Sequence, residues 1–160
     1  KTGSNEYSLD LVGFVQDKNY LNQLKSLAMG YPVNFHLNIS TQEKDDLLAK
    51  AKIYIHACGF DTDEKISPEH TEHYGIAVVE AMAHSCLVMV VAKGGPATII
   101  GNGKNGLHYT YKTQLVQLLL DVSHQSKTFE DMRRQAFTDA HQYSFSIFED
   151  KLSKYLKFGR

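Results

Sequence analysis

Gly75-Ile76-Ala77-Val78-Val79-Glu80-Ala81-Met82-Ala83-His84, followed at once by Leu87-Val88-Met89-Val90-Val91, is the stretch from which the fold can be read. The first segment spaces aliphatic and small residues as a helix does, behind a glycine. The second is apolar at every position. A strand with no polar alternation has no solvent face, so it is expected to lie in a parallel sheet covered on both sides.

Working outward, Lys52–Ala57, Val33–Leu37 and Leu9–Val15 read as three earlier strands. A helix over Tyr20–Met29 carries Leu21, Leu24 and Leu27 on one side and stops at Gly30 and Pro32. A second helix runs through Leu47, Leu48 and Ala51. Ser40 or Thr41 caps it, and Glu43 can complete a capping box with Ser40. Gly59–Thr71 is a polar loop. Gly101–Gly106 lacks the Gly-Lys-Ser/Thr ending of a phosphate loop and reads as a surface turn before a strand at Leu107–Tyr109.

Beyond Thr113 three helical stripes follow: Leu115, Leu118, Leu119 and Val122; then Phe129, Met132, Ala136, Phe137 and Ala140; then Phe145, Phe148, Leu152, Tyr155 and Leu156. The last stripe is most simply core, although an exposed apolar face there would promote self-association. Strands alternating with helices give an α/β class: a Rossmann-like, doubly wound parallel sheet with extra C-terminal helices. Residues 1–160 read as one domain, since no repeat or internal linker interrupts them. Ligands of such sheets sit beyond the carboxyl ends of the strands. Functional residues are therefore expected after Val15, Leu37, Ala57 and Val91.

Composition narrows the partners. Lys and Arg total 17 against 18 Asp and Glu, a net charge of −1, so no global field draws the chain to nucleic acid or an anionic membrane. No apolar run reaches the length of a membrane span. Cys58 and Cys86 are too few for a disulfide framework and fit a reducing compartment as small buried hydrophobes. The chain opens on Lys1-Thr2-Gly3-Ser4-Asn5 without an initiator Met and reads as a piece of something longer, with localisation signals lying outside it.

The candidate chemistry lies in Glu72-His73-Tyr74-Gly75-Ile76-Ala77-Val78-Val79-Glu80. Glu72 precedes the helix and Glu80 sits about one and a half turns inside it, at roughly 1.5 Å per residue. Free N–H groups at the helix start can hold a phosphate, aided by the helix dipole. A carboxylate further in suits the vicinal hydroxyls of a ribose, and one in the loop suits those of a sugar. Gly94-Gly95, after the Val-rich strand, marks either an ordinary tight turn or a close backbone approach to ligand. The plainer reading of the two glutamates is acids favoured near a helix N-terminus. His70, Glu72, His73 and His84 fit no zinc spacing, so no metal is expected. His56, ending a strand, reads as a hydrogen-bonded core histidine more readily than as a catalyst.

Glu72 to Ala83 with its Glu-x7-Glu, then Gly94-Gly95, then Asn105-Gly106-Leu107, resembles glycosyltransferase family 4. Phe35–Ser40, Ile53–Phe60 and Pro68-Glu69 are similar to one bacterial-type branch of it, and the likeness covers residues 9 to 110. The resemblance implies one half of a GT-B fold, the C-terminal half, and metal-independent transfer with retention from a UDP- or GDP-sugar, without any cofactor. It implies that Glu80 holds the ribose hydroxyls and Glu72 the donor sugar, with Glu72 the catalytic candidate. His73, Tyr74, Gly75 and Ile76 would meet sugar and diphosphate through their backbone, Gly94 and Gly95 would border the pocket, and the loop His36–Asn38 would lie against the base. It also implies an N-terminal acceptor domain as partner and a cytoplasmic location, with any membrane association supplied by that other half.

Three positions depart from the family pattern. Ser85 and Leu87 stand where a Gly and a Pro are usual, and Thr98 where a Glu is common. The family's Arg/Lys pair, which neutralises the departing diphosphate, falls upstream of the strand matched by Leu9–Val15. Without preorganised charge of that kind, the isolated chain is expected to bind nucleotide weakly and transfer nothing. The rival reading is a degenerate, non-catalytic nucleotide- or sugar-binding module. An epimerase-like dinucleotide fold is disfavoured, because no Gly-x-Gly-x-x-Gly follows the first strand.

Overall fold

The computed structural model describes residues 7–122 and 126–158; the opening stretch, residues 1–5, lies outside the described residues. The chain divides into two compact units, residues 1–47 and 48–160.

The first unit holds strand β1 (Leu9–Gly13), helix α1 (Lys18–Ala28), strand β2 (Val33–Leu37) and the opening turns of helix α2 (Thr41–Lys50). β1 and β2 pair in parallel, from Leu9 opposite Val33 to Gly13 opposite Leu37. β1 stops two residues short of the expected Val15. Its ladder ends where Asn38, at φ 56°, turns the chain and sends its N–H back to the Gly13 carbonyl at 3.0 Å. α1 starts two residues earlier than its apolar pattern suggests because Asp17 caps it, accepting from the Asn19 and Tyr20 N–H groups at 2.7 and 3.2 Å. At α2 the capping box forms on Ser40: its N–H and hydroxyl donate to Glu43 Oε2 at 2.8 and 2.7 Å, and the Glu43 N–H returns to Ser40 Oγ at 3.2 Å.

The second unit contains β3 (Ile53–His56), α3 (Ile76–Ala83), β4 (Leu87–Val91), α4 (Gly94–Ile99) and β5 (Leu107–Tyr109), then α5 (Lys112–Val122), α6 (Ser126–Ala140) and α7 (Phe145–Phe158). β3, β4 and β5 form a parallel sheet in that order. Every residue of β4 is buried. Val88 and Val90 pack with Val78, Ala81 and Met82 of α3 and Ala136 of α6. Leu87, Met89 and Val91 face the other way, toward Leu107 and Tyr109 of β5 and Phe129 and Met132 of α6. Each such side chain contributes about 1.5–3 kcal/mol on burial, so the expected two-sided covering of this strand is what holds the unit together.

α3 ends in a Schellman turn. The Cys86 N–H reaches Ala81 O at 3.0 Å and the Ser85 N–H reaches Met82 O at 2.9 Å, with Ser85 at φ 56°. Ser85, where the resemblance implies a glycine, thus falls in the left-handed region.

Two expectations need correction. Gly94–Pro96 is not a plain turn but the first turn of α4, where Pro96 is tolerated because an N-terminal helical N–H needs no partner. The stripe of α7 is not core: Phe145 is 73% and Tyr155 81% exposed. Among the described residues no helix is long and apolar enough to cross a membrane.

Candidate functional site

Glu72 ends the long polar loop, directly after Thr71, whose buried hydroxyl donates to Pro68 O at 2.7 Å. Glu72 Oε1 accepts from the Tyr74 and Gly75 N–H groups at 3.0 and 3.2 Å. These bonds, the Tyr74 amide foremost, hold the Glu72 carboxyl below its ordinary range, and His56 and His73 reinforce them. Glu72 is therefore ionised at neutral pH, and its Oε2 takes no hydrogen-bond partner among the described residues. Gly75 caps α3 at φ 98°, a conformation that favours glycine.

Within the expected stretch His73–Ile76 the backbone amides are not all equally placed. The Tyr74 and Gly75 amides already serve Glu72. The N–H groups left without an acceptor among the described residues are that of His73 and those of Ile76 and Ala77, the last two in the first turn of α3. Ala77 was not among the sequence candidates.

Gly94 and Gly95 lie against this turn. A Cβ on Gly94 would collide with the Glu72 carbonyl, and one on Gly95 with the carbonyls of His73 and Tyr74. The Gly95 N–H donates to Glu72 O at 2.9 Å. The two glycines thus permit the approach of one loop's backbone to another's. Just before them, Lys93 Nζ donates to the carbonyls of Gly59, Phe60 and Thr62 at 3.3, 3.1 and 2.6 Å. The Gly94 N–H meets Glu64 Oε2 at 3.2 Å. Thr98 turns its hydroxyl to Gly95 O at 2.7 Å.

β3 supplies two residues that sequence reasoning undervalued. Tyr54 and His56 are two apart and so share one side of the strand. Burial, followed by the charges of Glu80, Cys86 and Glu72, pushes the Tyr54 hydroxyl up to about 12, keeping it neutral. Burial also pulls the His56 imidazole below its ordinary value, against the opposing pull of Glu72. His56 Nδ1 is buried and has no hydrogen-bond partner among the described residues, so the expected hydrogen-bonded core histidine is not found at that atom. The period of two in Ile53–His56 was the signal that could have placed both residues at the site.

Glu80 is the fifth residue of α3 and half-buried. With Ile76, Val79 and Tyr74 it lines an open groove of about 390 Å³ whose far wall includes Phe137 and Tyr143. His36 and Asn38 belong to the first unit, where both are engaged. His36 Nε2 pairs with Asp10 Oδ1 at 2.8 Å, which foremost holds the Asp10 carboxyl below its usual range, and Asn38 Oδ1 accepts from the Val15 N–H at 3.2 Å. Among the described residues no three His, Cys, Asp or Glu side chains gather where they could hold a metal ion.

Residues 2–139 match the family model described as Glycosyl transferases group 1. A GDP-Man:Man(3)GlcNAc(2)-PP-Dol alpha-1,2-mannosyltransferase of Dictyostelium discoideum is 25% identical over 157 residues, covering 93% of this chain and 29% of that protein. The enzyme of the same description from Caenorhabditis elegans is 28% identical over 138 residues, covering 83% of this chain and 27% of its own length. The chain thus spans less than a third of these relatives. Among solved structures, Anabaena Alr3699/HepE in complex with UDP-glucose superposes with a TM-score of 0.75 at 17% identity, covering 96% of this chain and 42% of that one. The C-terminal domain of the Francisella tularensis group 1 glycosyl transferase LpcC gives 0.65 at 19% identity, covering 82% and 66%. At these identities the likeness is one of fold: an α/β, Rossmann-like half of the GT-B kind.

Proposed function

The chain belongs to the glycosyl transferases group 1 family, and from that premise we propose that it is the donor-binding half of a retaining, family 4 transferase using a UDP- or GDP-sugar. One observation carries the reading. The ionised Glu72, with one oxygen uncommitted, stands before the first turn of α3, where the Ile76 and Ala77 N–H groups have no acceptor among the described residues. A diphosphate suits those amides and the positive end of the helix. A sugar hydroxyl suits Glu72 Oε2, and ribose hydroxyls suit Glu80 one and a half turns further along.

In this reading Glu72 orients the donor sugar at the reacting end, and His73 to Ile76 line its path to the diphosphate. Gly94 and Gly95 close the same side by fixing Glu72 from behind. His36 and Asn38 are assigned to the base. The acceptor domain, and separately the Arg/Lys pair upstream of Leu9–Val15 that takes up the leaving charge, are assigned to the rest of a two-domain protein. The chain alone then binds donor and transfers nothing. No metal is required, because backbone amides and the helix field supply the positive potential. The cytoplasm is the assigned location. Mannosyltransferase relatives that use GDP-Man favour a hexose donor.

Calorimetric titration with UDP, GDP and ADP tests the proposal. One nucleotide is expected to bind, and Glu80→Ala to weaken it by about 1.5–3 kcal/mol, the worth of a hydrogen bond to a charged group. Absence of binding by any nucleotide at millimolar concentration, with the variant indistinguishable, would favour the degenerate-module reading. The left-handed Ser85 and the exposed Thr98 are the positions that lend that rival weight.

A further inference from the structure

The loop from Gly59 to Thr71 is 13 residues long, and its one regular element is a single 3₁₀ turn at Pro68–His70. Its own hydrogen bonds are mostly local turns, such as Ser67 N–H to Asp63 O at 2.9 Å and the Thr71 hydroxyl to Pro68 O at 2.7 Å, with one weak tie across it from Cys58 Sγ to His70 O at 3.8 Å. The structure supplies the restraint from the opposite strand end. Lys93 Nζ gathers three consecutive-turn carbonyls, Gly59, Phe60 and Thr62, at 3.3, 3.1 and 2.6 Å. Gly94 N–H takes the Glu64 carboxylate at 3.2 Å, and Gly95 N–H takes the Glu72 carbonyl at 2.9 Å. Three successive residues therefore grip the loop near its start, its middle and its exit. An ammonium group with three donors matches three carbonyls, and a half-buried charge held this way is costly to leave unpaired.

We propose that Lys93 is a positioning residue for Glu72: it pins the first turn of the loop so that the carboxylate at the loop's end is presented to the donor sugar. The assignment rests on the donor-site reading and adds a division of labour to it. Lys93 serves the sugar end of the site, through Glu72, and leaves the nucleotide end at Glu80 untouched, because Glu80 is carried by α3 and not by the loop.

Lys93→Met and Lys93→Arg are compared with the unaltered chain by titration with the nucleoside diphosphate that binds and with the corresponding nucleotide-sugar. Amide hydrogen exchange is followed over residues 59–74 without ligand. Lys93→Met is expected to lower affinity for the nucleotide-sugar about tenfold while that for the bare diphosphate stays within twofold. It is also expected to speed exchange across 59–74 while leaving Leu87–Val91 protected. Lys93→Arg, which can still donate to the carbonyls, is expected to recover most of both. Equal weakening of both ligands, or of neither, would overturn the assignment. Unchanged exchange in Lys93→Met would overturn it even if no nucleotide binds, whereas faster exchange in a chain that binds nothing would uphold the pin and count against the donor reading alone.

Discussion

The Gly95 amide donates to the Glu72 carbonyl at 2.9 Å, and a methyl group at 95 would occupy the space of the His73 and Tyr74 carbonyls. The contact joins the start of α4 to the turn that carries the candidate sugar-binding carboxylate. Because the obstruction is backbone, no side-chain rotation relieves it. Gly95→Ala is expected to cost about 1–3 kcal/mol, as overpacking does, and to weaken nucleotide-sugar binding. Chemical denaturation with parallel titration checks both. A variant as stable as the parent would show that the two loops part easily.

Ser85 holds φ 56° at the C-terminus of α3. A left-handed residue with a Cβ is strained by about 1–2 kcal/mol, and glycine recovers that at an entropic cost of about 0.4–1 kcal/mol in the unfolded chain. Ser85→Gly should therefore stabilise the chain by between about 0 and 1.6 kcal/mol, each kcal/mol raising Tm by about 2–4 °C for a protein this size. Thermal unfolding of the two proteins decides it, and a lower Tm in the variant would refute the strain argument.

Glu72 is held below its ordinary carboxyl value of 4.5 by the Tyr74 and Gly75 amides. A lowered carboxylate stabilises the fold fully above its unfolded value, and that contribution fades as pH falls through the lower, folded value. The stability gap between the unaltered chain and Glu72→Gln should be constant above about pH 5 and shrink below pH 4. Urea unfolding from pH 3 to 7 measures it. A gap that widened toward acid would contradict the hydrogen-bonding scheme.

Burial lowers the His56 imidazole from 6.5. The unfolded chain then binds a proton before the folded one does, so stability declines as pH drops below about 6.5 until the folded value is reached. Replacing the ring by His56→Gln should remove its share of that decline, leaving a flatter profile between pH 5 and 7. A profile parallel to the parent would mean that His56 titrates alike in both states.

Much of this was legible from residue order. β4 coincides with Leu87–Val91 because a short, Val-rich run without polar alternation suits a strand buried on both faces. The capping pair Ser40–Glu43 formed because its spacing is sufficient to specify it. Less was legible where the decisive partner is distant in sequence. Nothing near Lys93 shows that its ammonium will meet carbonyls more than 30 residues earlier, or that Gly95 exists to admit a carbonyl from residue 73. Leucine spacing locates the face of α1 but not its start, which Asp17 sets by capping it. The stripe of α7 shows an apolar surface without showing what would cover it.

The two thiols of this chain are chemically unequal. Cys86 is buried, donates to Leu48 O and Ala51 O, and is pushed up to about 11 by that burial, so almost none of it exists as the reactive thiolate at neutral pH. Cys58 is exposed and free, immediately ahead of the loop that leads to Glu72. A maleimide or alkylating probe should therefore modify one position in the folded chain and two once it unfolds. The folded chain thus offers a single exposed thiol for a fluorophore, placed where a dye would sense movement at the candidate donor site.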